Sequence, residues 1–207
     1  MSATDRRDVI DVLTGEHRAV EALFQRLETG GGGPDGSRKS LVDALALELA
    51  WHAAAAQRYL LPLARRTLPD GDALADRHTA EHLTVEHMVR DLEAKDPSDA
   101  RFEPLLAQLV AAARGHIEHE EQITFVELTR ECDRGELLAA GEEMAAARRR
   151  AEAEAASATI PAQARSDAAG PGSVTTASTT AASASTTATP TPAPSVVDRV
   201  RAALFGA

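Results

Sequence analysis

Four long stretches of this chain repeat apolar residues at steps of three and four, and each is closed by a turn that a helix does not cross. Ile10, Leu13, Val20, Phe24 and Leu27 carry that rhythm through residues 8–28, the period of one α-helical face. The run Gly30-Gly31-Gly32-Gly33-Pro34-Asp35-Gly36 ends it, because glycine and proline interrupt helical continuity. The same reading predicts helices over about 38–66, 72–94 and 101–131. Pro69-Asp70-Gly71 and Asp96-Pro97-Ser98-Asp99 separate them, and Pro104 falls in the first turn of the last, where proline is tolerated. Long helices joined by short loops predict an all-α fold, an antiparallel up-down four-helix bundle over residues 1–132. Aromatic residues make up only 3% of the 207, which argues against a β-rich alternative.

Beyond the bundle the composition changes twice. Residues 133–157 are rich in Ala, Glu and Arg and predict an additional helix. Arg148-Arg149-Arg150, beside Glu152 and Glu154, reads there as a solvated helix face. Residues 158–195 are rich in Ala, Ser, Thr and Pro, without a charge from 168 onward; such a segment cannot bury enough surface to fold, and a disordered linker is expected. Residues 196–207 place Val197, Val200, Leu204 and Phe205 at helical spacing. This short amphipathic segment is marginal alone, so it is expected to order on docking, and it is the part of the chain suited to a protein partner.

The net charge of −10, with no basic face, excludes a nucleic-acid binder. No stretch reaches the ~18 uncharged apolar residues of a membrane span. The N-terminus shows no apolar signal region and Cys132 is the single cysteine, so a reducing, cytoplasmic setting is expected. Glu131 and Asp133 flank that thiol and disfavour its ionised form.

The apolar stripes are interrupted in one way only. His17 lies in the first stripe, and His52 in the second, among Leu41, Leu45, Leu49, Ala56, Tyr59 and Leu63. His78 and His82 lie in the third, with Ala75, Val85, Val89 and Leu92; His116 and Glu120 lie in the fourth, with Leu106, Leu109, Ala113 and Ile123. Pairs four apart share a helix face. Burying an unpartnered polar group costs several kcal/mol. One isolated histidine of this kind is ordinarily a hydrogen-bonded core residue. Five imidazoles and a carboxylate aimed into one core are what a bundle uses to hold a metal. His87 and His119 fall off the stripes by one residue and read as surface or supporting groups.

Leu13-Thr14-Gly15-Glu16-His17-Arg18, His52 followed by Leu60-Leu61-Pro62, Glu81-His82, and His116-Ile117-Glu118-His119-Glu120-Glu121 together resemble the hemerythrin-like, HHE cation-binding domain over about residues 8–131. The ending from Val197 to Leu204 is similar to the C-terminal segment that some actinobacterial members carry after a variable linker. The resemblance implies a four-helix bundle holding two non-heme irons. His17, His52, His78, His82, His116 and Glu120 match the family's ligand positions, and carboxylates normally bridge the irons. Where the family's second helix carries a glutamate, this chain has Ala56. Glu48, one turn before His52, and Glu86, four after His82, are the candidates to replace it. Three forms of the site follow: a di-iron centre bridged by Glu120 and solvent, a single metal (iron or another divalent ion) at His78, His82, His116 and Glu120, or a scaffold that has lost its metal. The resemblance implies binding or sensing of O2, NO or peroxide, or iron handling. The alternatives are a peroxide-decomposing enzyme, for which Tyr59 is the one tyrosine available, and a metal-free interaction scaffold.

Overall fold

A computed structural model describes residues 6–30, 37–158 and 195–205, and every regular element among them is helical. The predicted linker over 158–195 therefore lies almost wholly outside the described residues. Helix α1 spans Val9–Glu28. Asp8 caps it: its side chain accepts from the Asp11 backbone N–H at 2.9 Å, and Asp11 accepts from the Asp8 N–H at 3.2 Å. This reciprocal pairing satisfies two of the N–H groups that a helix start leaves open. Helix α2 (Ser37–Ala55) runs through a π turn, Ala56–Leu60, into α3 (Leu61–Thr67). Helix α4 covers Gly71–Glu93, and α5 (Phe102–His119) passes through a second π turn, Glu120–Thr124, into α6 (Phe125–Glu131). Helix α7 (Arg134–Ala158) and the short α8 (Val196–Phe205) follow. No helix among the described residues is long and apolar enough to cross a membrane.

The four sequence stripes meet in one core. Leu13, Phe24, Leu45, Leu60, Leu92, Phe102, Leu109 and Leu128 are fully buried within it. Ile123 is a correction to the fourth stripe. It is 42% exposed, whereas Thr124, Phe125 and Leu128 are buried. The π turn that begins at Glu120 inserts one extra residue per turn, and the core face slips from 123 to 124 and 128. Apolar spacing read at a constant period does not detect that slip.

Helix α7 packs along α1 and α8 along α2. The α1–α7 approach is close at Gly141: a Cβ there would lie 2.5 Å from the Arg7 carbonyl oxygen and 2.7 Å from the Val9 nitrogen, both backbone atoms. Gly141→Ala is expected to destabilise the chain by about 1–3 kcal/mol despite alanine's better helix propensity. Urea unfolding checks this, and a neutral or stabilised variant would show that the approach is not tight.

Helix α8 is docked. Val197 and Val200 are buried, Arg90 meets Asp198 at 3.2 Å, and Arg201 meets Glu86 at 3.0 Å. The pairs run in opposite order along the two helices, so α8 lies antiparallel to α4. The arginine run on α7 also departs from expectation. Arg149 and Arg150 are exposed, but Arg148 turns inward, 2.6 Å from Glu48, 3.4 Å from Glu16 and 3.2 Å from Glu152. Its guanidinium lies over the Trp51 ring, 5.4 Å from the centroid. The buried Glu16 on α1 and the half-buried Glu48 on α2 draw it out of solvent.

Candidate metal centre

The spacing of four between His78 and His82, and between His116 and Glu120, places each pair on the inner face of its helix. His17 on α1 and His52 on α2 project into the same space. All six side chains are buried, Glu120 and His78 completely. Donor atoms of His52, His82, His116 and Glu120 lie within 4.8 Å of one another, and so do those of His78, Glu81 and His116.

Glu120 is central. Its Oε2 stands 3.0 Å from His17 Nε2 and 3.5 Å from His52 Nε2, while its Oε1 stands 3.9 Å from His78 Nδ1 and has no hydrogen-bond partner. His82 Nε2 and His116 Nε2 approach to 2.9 Å. Both π turns fall at this layer: one begins at Glu120, the other at Ala56, four residues after His52 and fully buried. Local π geometry inside α-helices is frequent at functional sites.

A ring of carboxylates surrounds the histidines. Glu121 lies 2.8 Å from His17 Nδ1, Glu81 lies 2.8 Å from His116 Nδ1, and Glu16 lies 3.5 Å from His52 Nδ1. A carboxylate on one imidazole nitrogen fixes the ring and its tautomer and leaves the other nitrogen for a metal. None of these three was legible as a supporting group from the stripes, because each sits one residue off its own helix's stripe: Glu16 before His17, Glu81 before His82 and Glu121 after Glu120. The available signal was the Glu-His and His-x-x-x-Glu-Glu adjacency itself. His119 is half-buried. It accepts from Arg77 at 2.9 Å, and its ring lies 5.6 Å from that of His78; His87 is exposed.

Two candidate replacements for the missing glutamate are not brought into the cluster. Glu48 is held by Arg148 at 2.6 Å and Glu86 by Arg201 at 3.0 Å. Both carboxylates are already neutralised by arginines from helices later in the chain.

The unsatisfied atoms test whether a cation fits. His52 Nδ1 and Nε2, His78 Nδ1, His82 Nδ1 and Glu120 Oε1 are all buried without a hydrogen-bond partner. His78 Nε2 is paired with Thr124 Oγ1 at 2.8 Å. A neutral imidazole carries one ring proton, so when Nε2–H donates to Thr124 the Nδ1 lone pair faces the carboxylates of Glu120 and Glu81, 3.9 and 3.8 Å away. Lone pairs and carboxylate oxygens converging in a dry core repel unless a cation lies among them. The donor set, imidazole plus carboxylate, suits a first-row transition metal. Beside it is a small cavity of about 20 Å³, walled by Val20, Leu49, Val85, Ala113 and Ile117 on its apolar side, room for about one water-sized molecule.

The protonation states favour ligation. Burial pushes His78 down to about 4, and burial together with the neighbouring imidazoles holds His82 and His116 below the ordinary histidine value. For His52 burial acts in the same sense, but the carboxylates of Glu16 and Glu120 outweigh it and the net shift is upward. Desolvation opposes ionisation of Glu120, yet the surrounding histidines hold its carboxyl well below the usual range. Three imidazoles with depressed values bind fewer protons folded than unfolded. Stability of the metal-free chain should therefore fall as pH drops from about 6.5 toward about 4. His52 acts oppositely, losing its contribution as pH rises through its raised value. Urea midpoints at pH 7, 6, 5 and 4.5 measure the sum; a flat series would mean that the three histidines are not held neutral.

An all-helical bundle with buried imidazoles converging on one carboxylate defines a candidate metal-binding helical protein. The family model of the hemerythrin HHE cation-binding domain matches residues 8–128, more than half of the chain, and the chain belongs to that family. The match ends before α7 and α8. No curated protein and no solved structure matches the chain. Membership of the family implies a metal cofactor, and the buried His/Glu cluster has the residues to hold one.

Proposed function

We propose that the chain is a non-heme iron protein whose matched residues form an antiparallel up-down four-helix bundle around a di-iron centre. In this reading His17 and His52 serve one ion, His78, His82 and His116 the other, and Glu120 lies between them. The observation that carries it is the divided environment of Glu120: one oxygen faces His17 and His52, the other faces His78. Bound iron would supply an open coordination position for O2, NO or peroxide. The protein's own residues exclude bulk water, hold His17 and His116 by their outer nitrogens and offer a small apolar cavity beside the donors. That combination supports binding or sensing of a small molecule. Ala56 leaves the centre one carboxylate short, which weakens the hold on a hard ferric ion.

The test is a metal count on the full chain expressed in iron-supplemented medium, with the near-ultraviolet charge-transfer absorption recorded. Two irons per chain with that band support the di-iron reading, and one supports the mononuclear form. Near-zero iron in a fully helical protein overturns both. Peroxide turnover no faster than that of free iron would remove the enzyme alternative.

A further inference from the structure

Helix α7 lies outside the family match, yet it reaches the centre. Arg148 has three carboxylates around its guanidinium, on three helices: Glu16 on α1, Glu48 on α2 and Glu152 on α7 itself. Trp51, the residue before His52, forms the floor beneath it. Glu16 is 5% exposed, and its two oxygens are divided, Oε1 at 3.4 Å from Arg148 and Oε2 at 3.5 Å from His52 Nδ1. The far nitrogen of His52 also stands 3.5 Å from a carboxylate, that of Glu120, but there the same oxygen already meets His17 at 3.0 Å. Glu16 Oε2, which has no other hydrogen-bond partner, is thus the less engaged of the two carboxylate oxygens near the His52 ring.

We propose that Arg148 is a positioning residue for the metal centre: by clamping Glu16 and Glu48 together it holds Glu16 against His52 Nδ1, so that Nε2 is the nitrogen presented to the interior. The proposal rests on the metal-centre reading for its purpose, but its geometry belongs to the metal-free chain. A planar guanidinium holds two carboxylates in fixed directions with its five donors, whereas the three donors of an ammonium rotate on a flexible stem and fix neither direction. Without it, the buried Glu16 and the half-buried Glu48 lose their shared cation, and His52 loses its fixed neighbour.

The experiment uses the full chain without metal and then with ferrous iron under argon. At a pH above the raised His52 value, where the ring is neutral, long-range nitrogen–proton NMR of the imidazoles should report His52 as the Nδ1-protonated tautomer. Arg148→Met should abolish that fixed pattern and weaken ferrous binding about 10- to 100-fold, the range for loss of an outer partner of a ligating histidine. Arg149→Ala, at the exposed neighbour, should change neither. Arg148→Lys, which keeps the charge, serves if the Met variant does not fold, and should give a mixed tautomer with an intermediate affinity. A folded Arg148→Met or Arg148→Lys chain with the wild-type His52 pattern and wild-type iron affinity overturns the proposal. Failure of the wild type to bind iron would overturn the metal-centre reading instead, while the tautomer measurement would still decide whether Arg148 positions His52 through Glu16.

Discussion

Replacing Glu120 by Gln should reduce iron bound per chain to a small fraction of the wild-type value, with an affinity loss of at least about 100-fold, beyond the range for outer-shell changes. Glutamine keeps the size and one acceptor oxygen but removes the charge. Glu120 is the carboxylate within the four-donor group and is fully buried, and Ala56 provides no second one. In the metal-free chain the same change should cost about 1.5–3 kcal/mol, the worth of a hydrogen bond to a charged group, since His17 sits 3.0 Å from the lost charge. The two effects are separable. Iron is counted after loading, and stability is read by urea unfolding without metal. A Glu120→Gln chain that retains full iron would remove the carboxylate from the centre and with it the reading of Glu120 as a bridge.

Ala56→Glu should act in opposite directions with and without metal. Position 56 is fully buried, four residues after His52, and opens a π turn as Glu120 does. A carboxylate placed there without a cation should destabilise the metal-free chain by about 3–5 kcal/mol, the scale for an uncompensated buried charge. Iron should recover that loss, because a ligand that binds only the folded state stabilises it, and iron per chain should rise above the wild-type figure. Melting curves recorded with and without ferrous iron give both quantities. A variant that is destabilised, gains no iron and is not rescued by it would place residue 56 outside the centre.

Much of the interior was legible in the sequence because helical period and burial obey the same geometry. His17, His52, His78, His82, His116 and Glu120 were found by their places on apolar stripes, and the structure brings all six to one buried layer. What was not legible depends on departures from a constant period or on distant partners. The π turn after Glu120 moved Ile123 to the surface, and no residue type announces such a turn. Glu81, Glu121 and Glu16 support histidines on other helices, a relation that one helix face cannot display. Arg148 lay in a run of three arginines that composition alone reads as solvated. Its inward turn is caused by Glu16 and Glu48, more than 90 positions earlier in the chain, as that of Arg201 is by Glu86.

Those two arginines also set a timetable. Residues 8–128 are synthesised first, and they already contain Glu16, Glu48 and Glu86, all destined to be buried or nearly so. The cations that neutralise them come later: Arg148 is made roughly 1–4 s after residue 128 and Arg201 roughly 4–15 s after it, at about 5–20 residues per second. A nascent bundle that closed immediately would close around carboxylates whose partners did not yet exist. Helices α7 and α8 thus complete the charge balance of a core laid down before them. Folding of the matched region is expected to finish only when α7, and then α8, has been released.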